Sequence, residues 1–155
     1  MSVTIVPSPA EIVQAWLISQ LSFLKSNELQ EPGDGSTVCL VDGMADEFDQ
    51  AVFIQDQVGL DFGRRQRGKT ERHPGIKIII RALDHQTGFS LANAVANALD
   101  SSTMMTVSVN GVSHYVQSIY KTSTIIRLGE EVGKRRQLWS INARIVFQDR
   151  EPALG

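Results

Sequence analysis

The stretch RHPGIKIIIRALDHQTGFSLANAVANALD, from Arg72 to Asp100, changes pattern abruptly and so limits the folds open to this chain. A basic, proline-broken segment becomes the apolar run IKIIIRAL, and the chain then passes through Gly88 into residues spaced for a helix. Apolar side chains occupy both alternations from Ile76 to Leu83. A strand of that kind needs cover on both faces, which suits a central position in a sheet. Phe89, Leu91, Ala92, Val95, Ala96 and Leu99 then predict the buried stripe of a helix beginning at Thr87 or Gly88. The small residues Ala94, Ala96 and Ala98 would let that helix sit close on a sheet.

An earlier helix is signalled by its cap. Ser8 precedes Pro9, and Glu11 stands three residues after Ser8, the arrangement of a capping box. Ile12, Val13, Trp16, Leu17, Leu21 and Leu24 follow at helical spacing, which predicts a helix from about Pro9 to Ser26. The turn formers of NELQEPGDGS end it. Two short strands are expected next, STVCLV from Ser36 to Val41 and AVFIQD from Ala51 to Asp56, separated by the acidic DGMADEFD. From Leu60 to Gly75 apolar content nearly vanishes, so this segment is expected to be an exposed, mobile loop.

The C-terminal third reads as strands. Asn110-Gly111 between alternating runs in MTVSVNGVSHYVQSI is a strong hairpin signal. The strand should continue through YKTSTIIRL, turn at the polar GEEVGKRR, and return as QLWSINARIVFQD. The tail REPALG, about residues 150–155, is expected to fray. With no internal repeat and no linker, residues 1–155 are expected to form a single domain. The expected fold class is α+β: a single, mostly antiparallel sheet, two helices packed against it, and a long hairpin.

Chemistry is sparse in this pattern. Cys39 is the one cysteine and lies in the apolar TVCLV, which excludes an internal disulfide and points to a buried, inert thiol in a reducing cytoplasm. The N-terminus lacks a basic segment followed by a long apolar one, so no signal peptide is expected. No apolar stretch approaches the roughly 20 residues that span a bilayer, so the chain is read as soluble, with no membrane partner. The three histidines, His73, His85 and His114, fall in separate predicted loops or turns and suggest no nucleophile–base pair. DHQ at 84–86 is too sparse for a metal, and ADEFD lacks the glycine and spacing of a calcium loop, so it is read as a solvated acidic loop. The glycines of GLDFG and GRRQRG do not sit between a strand and a helix as a phosphate loop requires. The reading is therefore a protein with no catalytic residues, no cofactor and no metal.

The polar feature that stands out is the cluster Arg64, Arg65, Arg67, Lys69 and Arg72, opposed by Asp61 and Glu71. Arginine forks bind carboxylates on a protein partner or track phosphates. After Phe62 no aromatic residue interleaves with these charges, so stacking on bases is poorly supported and contact with a protein or neighbouring subunit is favoured. A small nucleic-acid-binding module using this cluster remains the alternative, to be separated by salt-dependent binding.

Two segments, RHPGIKIIIRALDHQTGFSLANAVANAL and YVQSIYKTSTIIRLGEEVGKRRQLWSINARIVF, together resemble the tail terminator, or tail completion, proteins of long-tailed bacteriophages. The resemblance rests on His73, Pro74 and Gly75 before a central strand and helix, then on Leu128, Gly129, Glu130, Gly133, Arg135 and Asn142 in the later strands and turn. Chain length and the opening helix fit as well. The resemblance implies a virion protein, made in the host cytoplasm, that caps the tail tube as a homo-hexameric ring. Such a ring ends tube polymerisation and presents a surface to the head completion or connector protein, with a lumen through which DNA could pass. A tail tube or other ring-forming connector protein is the neighbouring alternative.

Overall fold

A computed structural model describes residues 6–26, 35–41, 44, 46–64, 70–102 and 104–148, with side chains described outside 58–64, 70–72 and 147–148. Helix α1 spans Pro9–Gln20 and is followed by β1 (Leu24–Lys25), β2 (Thr37–Val41), β3 (Ala51–Arg64) and β4 (Thr70–Ala82). Helix α2 (His85–Asp100) then precedes β5 (Met105–Val109), β6 (Val112–Lys121), β7 (Ile126–Glu130) and β8 (Gln137–Gln148). One sheet runs in the order β1-β2-β3-β4-β8-β6-β5, and β7 also pairs with β8. The β1–β2 and β2–β3 pairs are parallel, and the rest are antiparallel. This is an α+β fold, with IKIIIRA of β4 at the middle of the sheet as its two-sided apolar pattern requires.

Both helices lie on one face of the sheet. Their side chains join Val52, Ile54, Ile76, Ile78, Ile80, Trp139, Ile141 and Ile145 in one core. Helix α1 touches β2 and β3 near one end of the sheet and β5 at the other, so the sheet curls around it. A smaller apolar cluster (Val38, Phe48, Ala51, Phe53 and Ile79) occupies the opposite, outer face.

Local chemistry explains the element ends. The Ser8 hydroxyl accepts from the Glu11 N–H at 3.3 Å, and the Ser8 N–H donates to Glu11 Oε1 at 3.4 Å, so the capping box forms as expected. A tertiary contact adds to it: the Ala10 N–H donates to Asp56 Oδ1 of β3 at 2.8 Å. Asp84 caps α2 by accepting from the Thr87 N–H at 3.1 Å, so this helix starts earlier than the Thr87 or Gly88 expected. Asn110 and Gly111 adopt φ of 51° and 78°, the left-handed pair that a two-residue hairpin turn needs.

Four expectations are corrected. Helix α1 stops at Gln20, because Leu21 is extended at φ −117° and ψ 103° and the chain continues into β1. Leu24 is still buried, so the apolar spacing that suggested a longer helix is met by a strand residue instead. The expected loop from Leu60 to Gly75 is strand over 60–64 and 70–75, with Leu60 opposite His73, Asp61 opposite Arg72 and Arg64 opposite Thr70. The ladder extends further because Glu71 and Arg72 also face Gln148 and Phe147 of β8. Backbone pairing sustains it without the apolar alternation on which a sequence reading depends. Phe89 is 47% exposed, because Gly88 is the residue turned to the sheet and each helical residue rotates by about 100°. Finally, the run expected as one strand from 112 to 128 breaks at 122–125, where Ser123 Oγ takes the Asn142 N–H at 2.9 Å. The tail at 150–155 lies outside the described residues.

Helix α2 meets the sheet at very close range. A Cβ placed on Gly88 would stand 2.0, 2.4 and 2.8 Å from three ring carbons of Trp139. Gly88→Ala must therefore displace the helix or the indole, and we expect a loss of about 1–3 kcal/mol, read as a lower midpoint in urea unfolding. Trp16, 5% exposed on α1, fills the core on the same face. Trp16→Ala should cost about 3–5 kcal/mol, and an unchanged melting temperature would contradict that placement.

Candidate functional site

The predicted contact cluster is only partly placed. Arg64 closes β3 and Arg72 lies near the start of β4, two residues past its first position, so both belong to the end of the β3–β4 pair opposite the one where β4 runs into α2. Arg65, Arg67 and Lys69 lie outside the described residues. The geometry available for this cluster is therefore the strand pairing beneath it, Asp61 opposite Arg72 and Arg64 opposite Thr70.

A different group of charges is brought together on the outer face. Arg81, next to last in the apolar strand β4, is 1% exposed, and a guanidinium so deeply buried requires partners. Its Nη1 donates to the Phe48 carbonyl at 3.1 Å, and its Nε stands 3.1 Å from Glu131 Oε2. The guanidinium carbon also lies 4.8 Å from the centre of the Phe53 ring. Arg136, 6% exposed, donates from Nε to Asp49 Oδ1 at 2.8 Å and from Nη1 to Asp46 Oδ1 at 3.1 Å. Its Nη2 reaches the Asp46 carbonyl at 2.6 Å. Lys134 forms a further ion pair with Asp46.

These bonds fasten the acidic segment around 46–49 to the β7–β8 turn. The turn is closed by its own backbone, with the Glu131 N–H on the Arg136 carbonyl at 2.7 Å, and Gly133 supplies a φ of 77°. The ADEFD stretch, expected to be a solvated loop, is instead tied down at Asp46 and Asp49, with Phe48 buried on the outer face. Sequence reasoning had a usable signal here: an acidic run and the basic KRR of another turn are complementary, and Arg81 interrupts a buried strand. Neither signal specifies which loops meet.

Electrostatics follow from this geometry. Burial opposes the charge on Arg136, but hydrogen bonding to Asp49 and the charges of Asp49 and Asp46 outweigh it and raise its pKa. Hydrogen bonding from Lys134 is the largest influence on Asp46 and lowers its pKa. The backbone N–H of Thr87 does the same for the cap Asp84. Burial pushes the Cys39 thiol up to about 12, which keeps it a neutral core group as its sequence context suggested.

The histidines do not sit in loops as expected. His73 is in β4, His114 is in β6, and His85 opens α2 with its ring edge-on to Trp139 at 5.6 Å between centroids. Among the described residues, no group of three or more His, Cys, Asp or Glu side chains could hold a metal ion. A cleft of about 380 Å³ beside α2 is lined by Phe23, Thr37, Gln50, Gln86, Ser90 and Leu91, among others, and its described lining carries no titratable side chain. No helix among the described residues is long and apolar enough to cross a membrane.

No protein family matches the chain. No characterised protein matches it in sequence. A chain in the virion of a native gene transfer agent particle is similar in shape, with a TM-score of 0.45 and 10% identity over 71% of this chain and 78% of that one. Likeness at that level carries no argument about what this chain does.

The charge network yields two measurable expectations. Arg81→Met leaves Glu131 without its nearest cation in a half-buried place, and should cost about 2–4 kcal/mol in denaturant unfolding. The pH dependence has a definite sign. Asp46 and Asp84 are depressed in the fold, so their stabilisation is present above the ordinary carboxylate value of 3.8 and is lost as pH falls through the lower folded values. Melting temperature measured down an acid series should therefore fall less steeply below pH 3.8 in the Asp46→Asn, Asp84→Asn double variant than in the parent chain.

Proposed function

We propose that this chain is a structural protein of a phage-like virion, and more narrowly that it caps the tail tube as a ring of six copies. The observation that carries the reading is the ordered set of pieces the resemblance rests on. His73, Pro74 and Gly75 lie in the first half of the central β4, α2 follows, Leu128-Gly129 lie in β7, and Gly133 shapes the β7–β8 turn before Asn142 in β8. These pieces are contiguous in space, since β4 and β7 both pair with β8 and α2 packs on β4 and β8.

The function needs a rigid body with complementary surfaces and no chemistry. A subunit in a closed ring presents two different faces to its neighbours, and a cap must match the tube while refusing the next ring. The curled sheet supplies the rigid body. The arginines at 64, 65, 67 and 72 and Lys69 then meet carboxylates of the tube protein or of the adjacent subunit, where planar guanidinium forks are effective. The opposite side of the ring receives the head completion protein, and DNA passes through the lumen.

Deletion in the phage that encodes the protein provides the test, with tail length and head joining scored by electron microscopy. Tails without length control, or headless tails, are expected, and normal tails joined to heads would overturn the reading. Charge reversal at Arg64, Arg65 and Arg67 should leave the circular dichroism spectrum intact and reproduce the tail defect. Purified protein that grows into long tubes by itself would identify a tube subunit instead.

A further inference from the structure

We infer that the outer edge of β7 pairs antiparallel with the same edge of a second copy of this chain, about a twofold axis between Leu128 and Gly129. One side of β7 is hydrogen-bonded to β8, and among the described residues no strand pairs with its other side. The strand is exposed at Ile126, Arg127, Leu128 and Glu130, with Ile126 at 39% and Leu128 at 46%. An open strand with exposed apolar side chains and no proline is a template for another strand. Arg127 donates from Nη2 to Gln137 Oε1 of β8 at 2.9 Å, so its guanidinium is held alongside the position that faces Glu130.

The residues themselves select the partner and the register. Arg127 lies opposite Trp139, and Glu130 lies opposite Gln137, two β8 positions that share a face because they are two residues apart. The register shift between Arg127 and Gly129 is what brings both charges to that face. In an antiparallel pair centred between Leu128 and Gly129, Arg127 of each copy stands opposite Glu130 of the other. Two opposite-charge pairs then flank the axis, whereas a parallel in-register pair would set Arg127 against Arg127. Leu128 faces Gly129 of the second copy, whose missing side chain leaves room for the two Leu128 side chains to meet across the axis. Gly129 has a φ of 99°, which keeps other residues out of that position.

This contact is independent of the ring reading. A self-complementary edge closes after two copies, while a ring is built head-to-tail from two different surfaces. A five-residue edge is small, so the dimer should be weak, with a Kd on the order of 10–100 µM. Sedimentation equilibrium of the full chain from about 1 µM to about 500 µM brackets that range. Arg127→Glu and Glu130→Arg each replace attraction by like-charge repulsion twice per dimer, and each should raise the Kd about tenfold or more. The double variant restores opposite charges in the same register and should return to within about threefold of the parent. Both substitutions are at exposed positions, so folding is not at stake. A chain that stays monomeric throughout, a dimer indifferent to the single reversals, or a double variant that fails to recover would each overturn the inference. None of these outcomes bears on tail completion, which is scored separately.

Discussion

Helix α2 lies so close to the sheet that one hydrogen atom separates a fit from a clash. Gly88 rests on the indole of Trp139, and Trp139 is buried near the start of β8. Strand β8 pairs with β4 along one edge and with β6 and β7 along the other. Fixing α2 on Trp139 therefore fixes it relative to three strands at once, and His85 secures the same ring from the edge. The curl of the sheet then brings β5 round to α1, so that both helices share one core. Close packing of this kind tolerates little change in volume, which is why a single methyl at position 88 matters.

The outer face works by a different principle. Its apolar cluster is small, and the segment across it is held by charge. Arg81 and Arg136 are nearly removed from water, an arrangement that is favourable only because carboxylates and backbone carbonyls take up their N–H groups. The result is a β7–β8 turn clamped from below by Arg81–Glu131 and from the side by Arg136 and Lys134 on Asp46 and Asp49. A turn held this firmly presents β7 as a fixed edge. The proposed ring and the inferred pair both need surfaces that do not have to be ordered on contact, because ordering weakens association.

Much of the fold was legible wherever a signal was local. Ser8 and Glu11 cap α1 through their own side chains, Asn110-Gly111 makes its turn from two residues, and the two-sided apolar run of β4 marks a central strand. Reading failed where the cause lay elsewhere in the chain. The polar residues 60–64 and 70–75 form strand because β3 and β4 pair with each other and β8 extends alongside, not because of their side chains. The candidate site fared similarly. The basic cluster is conspicuous in composition, yet the charges that the fold brings together, Arg81, Arg136, Lys134, Asp46, Asp49 and Glu131, come from three separate stretches.

By itself, then, the sequence determined most of the elements, the α1 cap, the hairpin turn and the α+β class, since each rests on hydrogen bonds or apolar spacing within a few residues. Only the tertiary structure decided which of those elements meet. It turned Gly88 and not Phe89 to the sheet, recruited Leu24 from a strand, converted a polar loop into a ladder, and set an acidic run against a basic turn roughly ninety positions away. Long-range pairing depends on the sum of the contacts made when the sheet curls closed, and no single window of sequence contains that sum.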